Sequence, residues 1–463
     1  MRTVLRMADL TEPRMADATG AAPGFGASPR PTEAGLRLGG QIGYGTGQIA
    51  GQIFRDVPSL LLLFFMTTVL GIAPAIAGAA IFIPKLIWGV GCDLAVGVLS
   101  DRWQHRIARR WWLLAGAIGA PLAIIALFHV PEAATGIRVA YVAAMFSLYM
   151  AVFACFSVPY LAIAGELTAS AGQRNVLMAW RLVFTSAGVV IAGALAPAII
   201  QTHGGGQAGF EAMALVLAAI CPVALLVAFV SIGPGTRSEQ QTPRARISVR
   251  EAAAILARPR FSVLLGANLL QLAGSGMGYA AMLYFLKYNM ARGDAFELIG
   301  GLVLTMCAGI ILAQPGWIWL ASRIGKKNAY LTGGVIYAVT YLIWAFAAGW
   351  GAPAAFALAF CLAVGNSGWA MLGFSMMSDI ASEDANHAGL YSAAWIATDK
   401  IAFALGGTLL VGLLLSGFGF DSARAVAGLP QSSLALVGVM AAFGLAPAAL
   451  NLLGVLVFWR WGR

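Results

Sequence analysis

The chain has 463 residues, 60% of them hydrophobic and 10% charged, with a mean hydropathy of +0.82, whereas a soluble domain carries roughly 25% charged residues. So little charge cannot clothe a water-facing surface, which excludes an ordinary soluble protein and asks for lipid as the solvent. The net charge of +10 does not point to nucleic acid either, because the positive residues sit in short clusters between apolar spans and not on one basic face.

Residues 1–36 mix Arg, Asp, Glu, Pro and Gly without the apolar core of a signal peptide, and they read as a disordered cytoplasmic tail with Met7 and Met15 as alternative starts. A helix that crosses a bilayer needs about 20 mostly apolar residues. Twelve such segments follow, near 43–71, 76–100, 111–131, 139–165, 175–201, 210–232, 259–290, 297–320, 328–349, 353–378, 389–417 and 433–459. The longest polar interruption, 233–258, divides them six and six. The expected protein is therefore all-α and integral to the membrane. Its parts are an N-terminal six-helix bundle over 37–232, a cytoplasmic linker over 233–258 and a C-terminal six-helix bundle over 259–463.

Charge asymmetry orients these spans. With the N-terminus in the cytoplasm, the inside segments hold twenty-one Lys and Arg residues and the outside loops only Arg138, Arg292 and Arg424. Both termini are then cytoplasmic, in the inner (plasma) membrane. A weak repeat relates the halves: Gly97-Val-Leu-Ser-Asp101-Arg102 follows the second span, and Ser322-Arg323-Ile-Gly-Lys326-Lys327 follows the eighth. Repeated halves are a transporter architecture, with the substrate site between them near mid-membrane. The first of these turns resembles the signature loop of the major facilitator superfamily.

Several ionisable residues lie within the spans: Arg55, Asp56, Lys85, Asp93, Arg181, Lys287, Asp399 and Lys400. A charge at the bilayer centre costs about 2.5–3.5 kcal/mol even on the lenient insertion scale. Such residues should face the bundle interior and line a substrate or ion path. The plainer reading is a helix–helix salt bridge or a side chain snorkelling to an interface, which suits Lys287 near the outer end of its span. Arg55 and Asp56 are neighbours, about 100° apart on a helix, so each is expected to find its partner elsewhere. An Asp56–Lys400 or an Arg55–Asp399 contact between the halves is the natural expectation. Pro58 frees a carbonyl one turn earlier, near Gln52, and broken helices with free polar groups are where transporters bind ligands. Trp88, Trp369 and Trp395 offer indole faces to a sugar ring, although Trp is also common in packing.

Enzyme chemistry finds no support. Four histidines are scattered with no HExxH motif and no nucleophile–base pair. The five cysteines lie singly inside apolar spans with no CxxC pair, so neither a metal site nor a cofactor is expected.

Gly43-Tyr44-Gly45 and Thr67-Thr68-Val69-Leu70-Gly71 bracket the first helix, and Lys85-Leu-Ile-Trp88, Asp93, Gly97 and Asp101-Arg102 mark the second. Pro159-Tyr160, Glu166, Arg174 and Met178-Ala-Trp-Arg181 mark the fourth and fifth. Asp379, Glu383-Asp384, Gly389-Leu390-Tyr391, Trp395 and Lys400 mark the tenth and eleventh. In this order, over about 40–420, the chain resembles the glycoside–pentoside–hexuronide:cation symporters, the melibiose-permease-like branch of the major facilitator superfamily. The resemblance implies a cation-coupled carrier. In it, a helix-one acid and the helix-five arginine hold the sugar, acids on helices two and four hold the cation, and a helix-eleven lysine stands beside them. Arg181, Lys400 and Asp93 match such positions.

The departures carry information too. Gly89 replaces the first helix-two acid, Leu86 and Leu94 replace an arginine and a proline, Ser157 replaces the helix-four acid, and Gln52 replaces the sugar-binding acid with Asp56 one turn on. Sodium wants several oxygen ligands together, and Asp93 alone supplies few. A lone buried carboxylate beside a lysine suits a proton, because burial and a charged neighbour tune an acid's proton affinity.

The reading is a secondary active transporter: a proton-coupled symporter of a sugar, glycoside or uronate, working by alternating access as a monomer. The alternative is a carrier of the same fold that exports, or that moves an amphipathic or other small molecule, uncoupled. Gln52, Asp56, Arg181, Trp88, Trp369 and Trp395 are assigned to the substrate, with Arg181 able to grip a carboxylate by two hydrogen bonds. Asp93, Lys400, Asp399 and Arg55 are assigned to cation coupling. A cytoplasmic gate is expected from Asp101 with Arg102 and Arg106, from Glu166 with Arg174, and from Asp379.

Overall fold

Inside a bilayer every backbone N–H and C=O must be paired within the protein, so a long apolar run folds as a helix. The computed structural model describes residues 37–103, 106–167, 171–233, 249–384 and 387–462. The tail 1–36 and most of the linker, 234–248, lie outside them; what is described of the linker includes a short helix, Val249–Leu256.

Six helices form the first half: α1 (Leu38–Thr68), α2 (Pro74–Trp103), α3 (Arg110–Phe128), α4 (Thr135–Glu166), α5 (Asn175–Thr202) and α6 (Gln207–Ile232). The second half opens with α7 (Pro259–Asn289). A continuous-looking helix, Ala295–Phe346, follows with 52 residues, which at 1.5 Å each is more than twice the depth of a hydrocarbon core. It breaks at Gly325, whose φ of 81° and ψ of 156° leave the helical region. That left-handed φ suits glycine. The break makes α8 (295–324) and α9 (326–346). The remaining helices are α10 (Gly351–Glu383), α11 (Ala388–Gly417) and α12 (Ser433–Trp461). Twelve spans result among the described residues.

α1 and α7 are the most enclosed spans, with 78% and 72% of their apolar windows buried; the two halves meet along them. Prolines widen several helices next to the centre. Pro58 lacks an N–H, so the carbonyl four residues earlier loses its partner, and α1 passes through a π-helical turn at Pro58–Leu62. Similar turns precede Pro197 in α5 and Pro447 in α12. Such turns recur at functional sites.

The turns after the odd-numbered helices define one end, here the loop end; those after the even-numbered helices define the linker end. At the loop end the halves are pressed together. Gly78 of α2 lets that helix lie against α11 so closely that a Cβ there would stand 2.5 Å from the Thr408 carbonyl oxygen. The Thr67 and Tyr284 hydroxyls share a hydrogen bond of 2.6 Å between α1 and α7. The Ala75 N–H donates to Ser416 Oγ at 2.9 Å, and Ser422 Oγ donates to the Ile72 carbonyl at 2.9 Å. Phe64 sits edge-on to Tyr284 and Phe296. At the linker end none of the described ion pairs joins the two halves: Asp101 pairs with Arg109 in the first, Arg260 with Glu383 and Lys326 with Asp379 in the second, and Arg258, the last linker residue, with Asp384 of the second. The structure is closed at the loop end.

Candidate functional site

α1 carries Gln48, Gln52, Arg55, Asp56 and Ser59 at helical spacing, a polar stripe on an otherwise apolar helix. The stripe faces a cleft between the halves, where two chambers join. One, of about 390 Å³, is walled by α1, α2, α4, α5 and α11; the other, of about 340 Å³, is walled mainly by α7, α8, α9 and α10. Gln52, Arg55, Asp399 and Phe403 line both.

The charged groups form short chains of contacts. Gln52 Nε2 donates to Asp56 Oδ2 at 2.6 Å, an i,i+4 pair on one face. Arg55 Nε stands 3.7 Å from Asp56 Oδ1, close enough for attraction but too far for a hydrogen bond. The neighbours therefore do touch, against expectation, and weakly, as their angular separation requires. Asp56 is 8% exposed, while the Arg55 side chain stays half-exposed in the cleft. Lys85 Nζ donates to Ser59 Oγ at 3.3 Å. Arg181 Nε donates to Gln48 Oε1 at 2.8 Å, tying α5 to α1.

Lys400 does not reach Asp56. Its ammonium pairs with the Asp93 carboxylate across the α2–α11 interface, bridging the halves. Asp399, one residue earlier, makes no hydrogen bond or ion pair with a described group, and the Arg55–Asp399 contact expected from the sequence is not formed. Asp399 lies within electrostatic range of Arg55, Asp56 and Lys85. The ion pair that spans the halves is thus one residue and one helix away from the expected one.

The tryptophans divide. Trp369 is 2% exposed and lines the second chamber. Trp395 is buried against Gly373 of α10 and lines neither chamber. Trp88 is 51% exposed and lines neither; its place in a substrate site is corrected accordingly. Lys85, Gly89 and Asp93, four residues apart, mark the face of α2 that lines the first chamber, and Trp88 is not on that row.

The gate residues also re-pair. Asp101 takes Arg109, at 2.5 Å, in place of Arg102 and Arg106, which are exposed. Asp379 accepts from Lys326 Nζ at 2.5 Å, joining α9 to α10. The side chains of Glu166 and Arg174 lie outside the described residues.

Reading charges and tryptophans from the sequence missed the polar lining of the second chamber: Ser275 and Tyr279 on α7, Tyr337 and Tyr341 on α9, and Asn366 on α10. Tyr337 OH donates to Ser275 Oγ at 3.0 Å, and the Tyr337 and Tyr341 hydroxyls are 3.3 Å apart. The signal was present. Ser275 with Tyr279, and Tyr337 with Tyr341, are i,i+4 pairs of hydroxyls inside apolar spans, and such pairs share a helix face.

A chambered cleft between two six-helix halves, with ionisable side chains at its centre, has clear counterparts. The MFS/sugar transport protein family matches residues 43–462. The chain belongs to this family. It is 24% identical to the inner membrane symporter YicJ of Escherichia coli (strain K12), over 91% of this chain and 91% of that one. It is also 24% identical to the isoprimeverose transporter of Lactiplantibacillus pentosus, over 65% of this chain and 63% of the relative. These matches place it among the glycoside–pentoside–hexuronide:cation symporters. Among solved structures, a bacterial homolog of the human lysosomal transporter Spinster, in an inward-facing and unoccupied conformation, shares the fold. Its TM-score is 0.68 at 15% identity, with 91% of this chain and 97% of that one covered. The protein is a multi-pass membrane secondary transporter of the major facilitator fold, and not an enzyme.

Proposed function

We propose that the protein is a proton-coupled symporter that takes up a sugar, glycoside or uronate by alternating access, complete as a monomer. The observation that carries this reading is the Asp93–Lys400 pair between α2 and α11, set beside the chamber that also holds Gln52, Arg55 and Arg181. A proton placed on Asp93 removes one partner of the pair that bridges the halves and releases the Lys400 charge toward the chamber. Ligand occupancy and the proton then act on the same interface, which is what coupling requires. Gln52, Asp56 and Arg181 meet the hydroxyls or carboxylate of the sugar from the first half. The resemblance to a symporter and to a sugar transporter supports the cargo class.

The excess of basic residues at the linker end supports cytoplasmic termini, which makes the loop end the outer one and the described state inward-open. Residues 37–232 and 259–463 would rock as two bodies about the central cleft, joined by 233–258. Deep charges are costly in lipid and are retained where they serve a path.

The test is uptake into proteoliposomes of labelled sugars, glycosides and uronates, each under an imposed proton gradient and, separately, a sodium gradient. We expect one panel member to accumulate with the proton gradient, up to about tenfold per pH unit at one proton per substrate, and Asp93→Asn to bring accumulation down to equilibration. Accumulation driven by sodium alone overturns the proton. A panel in which nothing accumulates overturns the sugar.

A further inference from the structure

α3 starts at Arg110 and is apolar from Leu113 to Phe128. Its first residue therefore stands where the hydrocarbon ends and the headgroups at the linker end begin. The described arginines at that end are of two kinds. Some are paired: Arg109 with Asp101, Arg258 with Asp384 and Arg260 with Glu383. Others, such as Arg102, Arg106, Arg323 and Arg460, are exposed. Arg110 is neither. It is partly buried, its Nε is buried without a hydrogen-bond partner, and no described carboxylate pairs with it.

Its surroundings are aromatic. The guanidinium carbon lies 5.6 Å from the centre of the Trp111 ring and 5.2 Å from that of Phe229 on α6, and the two rings are 5.3 Å apart. Cation–π attraction steadies a guanidinium without using its N–H donors, which stay open to an acceptor from outside. Two apolar rows start beside this cation. Trp111, Ile118 and Leu122 share one face of α3, and Val223, Leu226 and Val230 share one face of α6; all six are exposed. Trp111 touches Phe229, and Val230 follows Phe229 in the chain.

A guanidinium at the headgroup level, above exposed apolar rows, fits a phosphate carrying acyl chains. Guanidinium binds phosphate through two oxygens at once. Residues 101–110 hold four arginines against one aspartate, a balance that favours an anionic headgroup over a zwitterionic one. We propose that Arg110, Trp111 and Phe229 form a site for an anionic phospholipid, with the phosphate on the Arg110 guanidinium and an acyl chain along the rows of α3 and α6. None of these three residues lines either chamber, so the site depends on neither the cargo nor the coupling ion.

The experiment takes the full-length protein, stripped of lipid in detergent. It is titrated with phosphatidylglycerol and, separately, with phosphatidylcholine of the same acyl chains, and the first bound lipid is followed by native mass spectrometry. Phosphatidylglycerol should bind about five- to tenfold more tightly. Arg110→Gln should lower its affinity about tenfold, the worth of one charge-assisted pair. Arg323→Gln, which removes an exposed arginine from the matching turn of the other half, should leave the affinity unchanged. No loss from Arg110→Gln, or an equal loss from Arg323→Gln, overturns the site. Phe229→Leu removes only the ring beside the guanidinium and should lower the affinity about two- to fivefold. It tests the same site if Arg110→Gln does not fold, and an unchanged affinity there overturns it as well. Inorganic phosphate should not displace the bound lipid. If it competes as well as phosphatidylglycerol does, the site reads free phosphate and the lipid is overturned.

Discussion

The two ends of the molecule are held by different physics. The loop end is closed by shape: α2 meets α11 at backbone distance over Gly78, the Phe64, Tyr284 and Phe296 rings fill the space between α1, α7 and α8, and buried hydroxyls are paired. The linker end is held by ion pairs that are partly in water. Asp101 is 67% exposed where it meets Arg109, and Lys326 and Asp379 are 44% and 51% exposed. Close packing is all-or-none, since a close-packed interface either fits or does not. Exposed ion pairs are each worth about 0–1 kcal/mol and exchange partners cheaply. A transporter that must close each end in turn has here one end in its packed form and the other with its charges folded back onto their own half.

The largest effect should come from spoiling the packed end. Gly78→Val puts a side chain where the Thr408 carbonyl already stands, and overpacking of this kind costs about 1–3 kcal/mol, which tips a conformational balance by about five- to 150-fold. Uptake should fall within that range. Cys307, in the chamber, should become labelled by a membrane-impermeant maleimide added from outside, whereas the unaltered protein labels slowly from that side. Normal uptake with unchanged labelling would show that the described closure is not on the transport path.

A smaller effect is expected at the other end. Lys326→Gln removes the exposed Lys326–Asp379 pair, and Asp101→Asn removes the Asp101–Arg109 pair, whose carboxylate is exposed and whose guanidinium is buried. Each should change the maximal rate by about two- to fivefold, in line with a pair worth 1 kcal/mol or less, and the change should shrink in high salt. A loss as deep as that of Gly78→Val would erase the distinction between the ends.

The sequence carries these two ends unequally. Apolar run lengths were enough for the twelve spans, and the one ambiguous boundary, between α8 and α9, fell at Gly325 because only that residue leaves helical φ/ψ inside the long helix. Glycine spacing gave no hint that Gly78 meets Thr408, since a close approach is a property of two distant segments. The site was legible where polarity was rare: Asp56, Asp93, Asp399, Lys400, Arg55 and Arg181 stand out against apolar neighbours and do line the cleft. Their pairing was not legible. Lys400 was expected on Asp56 and took Asp93, and Asp101 was expected with Arg102 and Arg106 and took Arg109, because partner choice turns on how two helices distant in sequence are rotated and set against each other, which neither helix encodes alone. The uncharged polar groups were passed over altogether, and Tyr279, Tyr337 and Asn366 proved to be part of the lining of the second chamber.

The smallest effect expected is none, and it locates the proton. Each end carries a loop carboxylate whose pKa is held below the ordinary range. At the linker end, a hydrogen bond from His387 and then the Arg258 guanidinium hold Asp384 down. At the loop end, the Arg292 hydrogen bond does the same for Asp294. A depressed carboxylate contributes its stabilisation fully above the unfolded value near 4 and loses it only as the pH falls through the lower folded value. Between pH 5 and 8 both carboxylates therefore stay ionised, and neither of the two can act as the switch. Asp384→Asn should leave the midpoint of the pH–uptake profile in that window where it is, while Asp93→Asn abolishes the dependence. If Asp384→Asn moves the midpoint, the coupling proton sits at the linker end, and the Asp93–Lys400 pair is a structural bridge between the halves.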